Sequence, residues 1–239
     1  MRILALETSG LRGSIALVED AELVRQQMLP RDSRSAQSLA PTIQSVFAEA
    51  GWSLGGVDLI AVTEGPGSFT GLRIGITTAK ALAYAADSQV MGVNTLEVVA
   101  RQTPLPAVVA GPATALPSVL WAVLDAQRGE LFAASFLLSH ANRWMPSGEV
   151  RIVGRSAWLA QLAAHQAVSG PGLEQVADEI PTEVVVIARE FWFPMAAMVG
   201  QLAYEQFLAG RRDELFGLSP KYFRQAAAEE KRRLRPPLG

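Results

Sequence analysis

Three short apolar runs open the chain: Ile3 to Thr8, Gly13 to Val18 and Leu23 to Leu29. Polar turns separate them, so three strands in a meander are predicted. A helical stripe follows, with Leu39, Ile43, Val46, Phe47 and Ala50 on one side and Gly51 closing it. Pro41 lies inside this stripe, so the helix starts there or kinks there. Val57 to Thr63 reads as a buried strand, the Gly65–Gly71 stretch as a loop, and Phe69 to about Ala86 as a long helix. Val90 to Val93 is a further strand, with a helix from Thr95 to about Arg101.

The second half restates the strand-first theme. Val119–Leu124, the turn Asp125–Gly129 and Glu130–Leu138 form a hairpin pattern. Ser156 is placed to cap a helix reaching His165. Val184 to Ile187 is a short strand, and Pro194 opens a helix to about Leu208, ended by Gly210. Strands first, then alternating helices and strands, given twice, imply an α/β protein of two related lobes with mixed sheets. The expected division is 1–103 for the first lobe, 104–217 for the second and 218–239 for a tail.

Composition changes this picture in two ways. Apolar residues make up 49% of the 239 and charged ones 18%, below the roughly 25% charged of ordinary soluble domains. The apolar surplus must fill a large core or cover a helix face buried against another chain. The net charge of −2 makes the whole chain no electrostatic trap for nucleic acid. With no cysteine, disulfides, thiolate metal sites and a cysteine nucleophile are excluded. No charge falls between Arg101 and Asp125, but Pro104, Pro106, Gly111, Pro112 and Pro117 break that stretch. It reads as an interlobe linker rather than a membrane span, and a cytoplasmic protein is expected.

The most informative segment runs from Glu64 to Ile76, Glu-Gly-Pro-Gly-Ser-Phe-Thr-Gly-Leu-Arg-Ile-Gly-Ile. A Gly-rich turn between a strand and a helix N-terminus can hold a phosphate on its amides. However, Leu72-Arg73 stand where a P-loop needs Lys and Ser/Thr, and Thr70 stands where the dinucleotide fingerprint needs its third Gly. A tight strand-to-helix turn is the plainer reading. Beyond it, Gly71, Gly75, Ala79 and Ala83 recur every fourth residue, a smooth row despite a cost of roughly 1 kcal/mol for each glycine inside a helix. Small residues permit close approach of a neighbouring helix, either within the fold or from a partner, and a partner is the favoured reading. Leu72, Ile76 and Leu82 lie on other parts of the same helix.

Catalytic patterns are sparse. His140 and His165 show no ligand spacing, and Gly-x-Ser-x-Gly is absent. Glu7 and Asp125 each follow a buried strand and could face one cleft, as carboxylates of a metal–nucleotide site or as one buried polar residue per lobe. Glu229 to Arg235 carries four basic and two acidic residues, a solvated tail or an RNA contact.

The string Gly65–Gly75 closely resembles the signature of the TsaB (YeaZ) family of tRNA threonylcarbamoyladenosine biosynthesis proteins. Leu4-Ala5-Leu6-Glu7-Thr8-Ser9 is similar to the family's opening strand, where Asp is usual in place of Glu7. Gly92–Leu96, Leu124–Leu131 and Ser219–Arg224 resemble further family segments, so the likeness runs from the first strand to the tail. It implies the actin/Hsp70/sugar-kinase (ASKHA) architecture of two ribonuclease-H-like lobes. It also implies a non-catalytic scaffold in N6-threonylcarbamoyladenosine formation on tRNA, with no cofactor and no metal. The expected partners are a TsaD-like subunit, a TsaE-like ATPase and, when alone, a second copy of itself, with tRNA reached indirectly through the complex.

TsaD carries an H-x-x-x-H metal motif that this sequence lacks, and Ser35 stands where the family often has His. The partner-binding set implied is Leu39, Ile43, Phe47, Gly71, Leu72, Gly75, Ala79, Leu82 and Ala83. A vestigial nucleotide site would comprise Glu7, Thr8, Ser9, Asp125, Gly129, Gly170 and Gly172. Working as a site, those same residues would make the chain an actin-fold kinase or ATPase, the principal rival. A metalloprotease, a second rival, has no ligand set to support it.

Overall fold

The computed structural model describes residues 1–30, 35–105 and 117–223. The three opening runs form β1 (Arg2–Glu7), β2 (Ser14–Glu19) and β3 (Glu22–Met28), antiparallel neighbours in one sheet. Helix α1 (Ser35–Ala50) leads to β4 (Leu59–Gly65), α2 (Phe69–Ala86), β5 (Gln89–Asn94) and α3 (Thr95–Gln102). Strand β4 joins parallel to β1 and β5 parallel to β4, giving the order β3-β2-β1-β4-β5.

The second sheet repeats this plan. Its strands are β6 (Val119–Gln127), β7 (Glu130–Leu138), β8 (Trp144–Pro146), β9 (Arg151–Gly154), β10 (Gln166–Ser169) and β11 (Val185–Val186). The order is β11-β10-β6-β7-β8, with β9 also on β7, and β10 runs parallel to β6. From the β8 edge, an antiparallel meander is followed by two parallel strands on the far side of its first strand, as in the first sheet. These are the two ribonuclease-H-like lobes of the ASKHA architecture.

Period-two alternation explains how the layers stack. Leu4 and Leu6 of β1 face α1 and α2, while Ile3 and Ala5 face α5 (Ala196–Leu208). In β6, Leu120, Ala122 and Leu124 pack with Leu96, Val99 and Ala100 of α3, while Trp121 and Val123 pack with Trp158 of α4 (Arg155–Leu159). Strands buried on both faces read as continuous apolar runs, which is where the apolar surplus goes. Helices α3 and α5 thus lie between the sheets. Helix α5 packs on the first sheet although it lies beyond the expected 1–103 lobe, and α3 packs on the second. Arg101 of α3 pairs with Glu205 of α5 at 2.9 Å, and Arg143 reaches the same carboxylate.

Several local expectations shift. Helix α1 runs through Pro41. The helix expected from Ser156 to His165 is only Arg155–Leu159, and Gly154, not Ser156, stands at its N-cap. Pro194 lies before α5 rather than opening it. Strands β8 and β9 carry too little alternation to be anticipated. The linker at 106–116 and the basic stretch Glu229–Arg235 lie outside the described residues, as does the side chain of Ser35. Among the described residues no helix is long and apolar enough to cross a membrane.

Candidate functional site

The Gly-rich loop is built by β4 running into α2. Ser68 is the N-cap of α2, its hydroxyl accepting from the Gly71 amide at 3.2 Å. The Ser68 amide, one of the donors a phosphate would use, instead donates to the Ser9 carbonyl at 2.6 Å. The two turns are in direct contact: a Cβ on Gly67 would stand 2.5 Å from the Ser9 carbonyl oxygen. One on Gly71 would overlap the Thr8 carbonyl, and one on Gly75 would overlap the Thr8 hydroxyl and come within 3.2 Å of Val62.

The small-residue row is therefore internal. Gly71, Gly75, Ala79 and Ala83 are all buried against β1 and β4 within the lobe, which corrects their assignment to a partner. Leu39, Ile43 and Leu72 are likewise buried, and Phe47 and Leu82 pack on the same core. The close approach that the row makes possible is that of a strand end to a helix.

At that strand end lies Glu7, fully buried. Burial raises its carboxyl from the usual range to about 7, against the opposing pull of the hydrogen bonds from Ser9. Its Oε1 accepts from the Ser9 amide at 2.7 Å and the Ser9 hydroxyl at 2.6 Å, while Oε2 has no partner among the described residues. The buried Thr8 hydroxyl is unpartnered among them too.

The other residues of the candidate nucleotide site do different work. Asp125 is exposed, accepts from the Gln127 amide at 2.9 Å and lies 3.7 Å from Arg155. Gly129 takes φ +78° in the hairpin turn, open to solvent. Gly170, at φ +121°, lies against the backbone of Val123, and a Cβ on Gly172 would be 3.0 Å from that of Leu124. These glycines let β10 and its exit close onto β6. A cavity of about 770 Å³ opens elsewhere, between the ends of α3 and α5, lined by Arg101, Gln102, Trp144 and Glu205. His140 and His165 are exposed.

A feature the sequence did not announce is the strap at 211–223. Asp213 accepts from the Gly92 amide at 2.9 Å, and Leu218 is buried in the first lobe's core. Lys80 of α2 donates to the carbonyls of Phe216 and Leu218. Lys221 Nζ meets the buried Glu64 carboxylate at 2.7 Å, and the Lys221 amide donates to the Glu64 carbonyl. Tyr222 stacks on Phe69 at 4.7 Å, and Phe223 meets Phe132 of β7 edge-on at 6.2 Å. The strap therefore touches both lobes. The only signal for it in the sequence is Ser219–Arg224, whose resemblance to a family segment says nothing of its contacts. The tail expected from 218 begins inside this packed segment.

The sequence profile of the TsaD family, described as tRNA N6-adenosine threonylcarbamoyltransferase, matches residues 28–149. Across nearly the whole chain the likeness is to TsaB. The tRNA threonylcarbamoyladenosine biosynthesis protein TsaB of Escherichia coli K12 is 28% identical over 237 residues, covering 97% of this chain and 98% of its own. The chain belongs to the TsaB (YeaZ) branch of that family. TsaB of Bacillus subtilis 168 is 25% identical, with 97% of each chain covered. The solved structure of YeaZ from Pseudomonas aeruginosa superposes with a TM-score of 0.74 at 25% identity, over 93% of this chain and 99% of its own. TsaB membership at this coverage takes in both lobes as well as the signature loop.

Proposed function

We propose that this chain is a non-catalytic scaffold subunit in the formation of N6-threonylcarbamoyladenosine on tRNA, pairing with a TsaD-like transferase and supporting a TsaE-like ATPase in the cytoplasm. Full-length membership of the TsaB branch supports the pathway. The observation that carries the pairing is the outer face of α1 and α2. Gln37, Ala40, Pro41, Gln44 and Ala48 are exposed on α1, and Thr70, Thr77, Ala81 and Ala85 on α2. None of these carries a charge. The exposed Glu49 near the end of α1 is paired with Arg25 of β3, and the two cations of α2, Arg73 and Lys80, lean toward the strap. An uncharged face of mostly small side chains suits close packing against helices of another chain. The same face would join two copies when the chain is alone.

The scaffold reading is favoured over a kinase or ATPase by the Ser68–Ser9 bond, which occupies an amide that a phosphate would need. Copurification from the native cell tests the pairing: a TsaD-like chain is expected to accompany the tagged protein. Ala81→Arg places a charge on the exposed face, and it should abolish that association while leaving the melting temperature unchanged. Modification of tRNA should require the TsaD-like and TsaE-like chains together with threonylcarbamoyl-adenylate. Robust modification by this chain alone would overturn the scaffold assignment.

A further inference from the structure

The cavity between the ends of α3 and α5 shares no residue with the α1–α2 face or the Gly-rich loop, and its wall is divided by chemistry. Its volume of about 770 Å³ falls within the range of small-molecule sites. Arg101 and Gln102 come from the end of α3, Met198, Gln201 and Glu205 from one face of α5, and Arg143 and Trp144 from the turn into β8. Elements packed on both sheets therefore share it. Trp144, Phe191 and Met198 form its apolar side; Trp144 is buried and the other two are half-buried.

The polar groups of the wall are spent unequally. Gln102 donates to the carbonyls of Phe191 at 2.8 Å and Phe193 at 2.6 Å and accepts from the Met195 amide at 3.1 Å. Its carboxamide is used up in tying α3 to the segment before α5. Gln201 donates to the Ala21 carbonyl at 3.0 Å. The arginines differ. Arg101, with a side chain only 12% exposed, sends Nη2 to both oxygens of Glu205 at 2.9 Å, and Arg143 sends Nη1 to one of them at 2.9 Å. Among the described residues neither guanidinium makes another hydrogen bond, so each keeps unspent donors on Nε and its second Nη. Two cations meet one carboxylate, which leaves a positive charge and only donors at this end. Glu22 and Glu190 also border the cavity, but both are exposed, where water weakens their field.

Unspent guanidinium donors facing aromatic and thioether walls complement a carboxylate carried on an aromatic body. We infer that this cavity binds a small aromatic carboxylic acid, its carboxylate on Arg101 and Arg143 and its ring against Trp144, Phe191 and Met198. A ligand there touches α3, α5 and the second sheet at once, and so holds the two lobes together. The site stands independently of the scaffold proposal.

Isothermal titration calorimetry of the intact chain with 2-naphthoate is the test, with 2-naphthylmethanol as the uncharged counterpart. The acid is expected to bind with a Kd below about 1 mM and the alcohol about tenfold more weakly. Arg143→Gln, on a largely exposed side chain, should weaken the acid about tenfold and leave the alcohol unchanged, because it removes a charge-assisted donor. Met198→Trp fills the apolar side and should abolish binding of both. Melting curves show whether each variant is folded, and either one serves if the other melts early. Saturating 2-naphthoate should also raise the melting temperature of the parent and not that of Met198→Trp. Failure of 2-naphthoate to bind, equal affinity for acid and alcohol, or binding indifferent to both variants overturns the inference.

Discussion

Glu7 shows how much a single residue's environment decides. Its carboxyl sits at the end of an apolar strand, held by Ser9 on one oxygen and, among the described residues, by nothing on the other. Its folded pKa of about 7 lies above the ordinary 4.5 of a glutamate, so the folded state holds the proton more tightly than the unfolded chain. This contribution favours folding most below pH 4.5, and the advantage is lost as pH rises toward 7. Above that, the ionised buried group costs on the order of 3 kcal/mol. Chemical denaturation across pH 4.5–8 should show this decline, and Glu7→Gln, which cannot ionise, should flatten it. An equal slope in Glu7→Gln would mean that other groups carry the pH dependence. The choice of Glu where the family usually has Asp was legible in the sequence; the full burial and the unshared oxygen were not.

At the scale of the element, α2 was legible in its limits and misassigned in its orientation. The span from Phe69 to about Ala86 was readable from local spacing, and the Ser68 cap that the structure adds is local too. Which neighbour the Gly71–Ala83 row meets is not local, and the structure puts Thr8, just beyond β1, and Val62 of β4 against its glycines. Gly75→Ala should therefore destabilise the isolated chain by about 1–3 kcal/mol, overpacking outweighing the roughly 1 kcal/mol that helix propensity returns. The nearest atom is the Thr8 hydroxyl, so the loss should be smaller in a Thr8→Ala background. A double-mutant cycle by urea denaturation measures this coupling. Simple additivity would show that the helix does not press on Thr8.

For the whole molecule, the strap matters as much as either sheet. A chain ending at Gly210 loses the buried Leu218 and strips Glu64 of both cations that meet it, Lys221 and Arg211. Removing them should cost on the order of 3–5 kcal/mol. A chain ending at Phe223 keeps all of these contacts and should melt well above the one ending at Gly210. Thermal melting of the two truncations distinguishes a strap integral to the fold from a dispensable tail; equal melting would favour the tail. Proteolysis should likewise spare the segment from Arg211 to Phe223 while the lobes stay folded, because the strap is anchored by hydrogen bonds to β4, β5 and α2.

By itself the sequence determined the class of fold, the repetition of a strand-first lobe, the loop before α2 and the likeness to TsaB. Each depends on the order of residues over short spans, where period-two runs and glycine spacing act directly on the backbone. The tertiary structure alone decided that α3 and α5 lie between the sheets, that the glycine row meets Thr8, and that the strap returns to brace Glu64. Those outcomes depend on contacts between residues far apart in sequence, such as Gly92 with Asp213 and Phe132 with Phe223. A side chain's local pattern states that it will be buried; only the packed fold states against what.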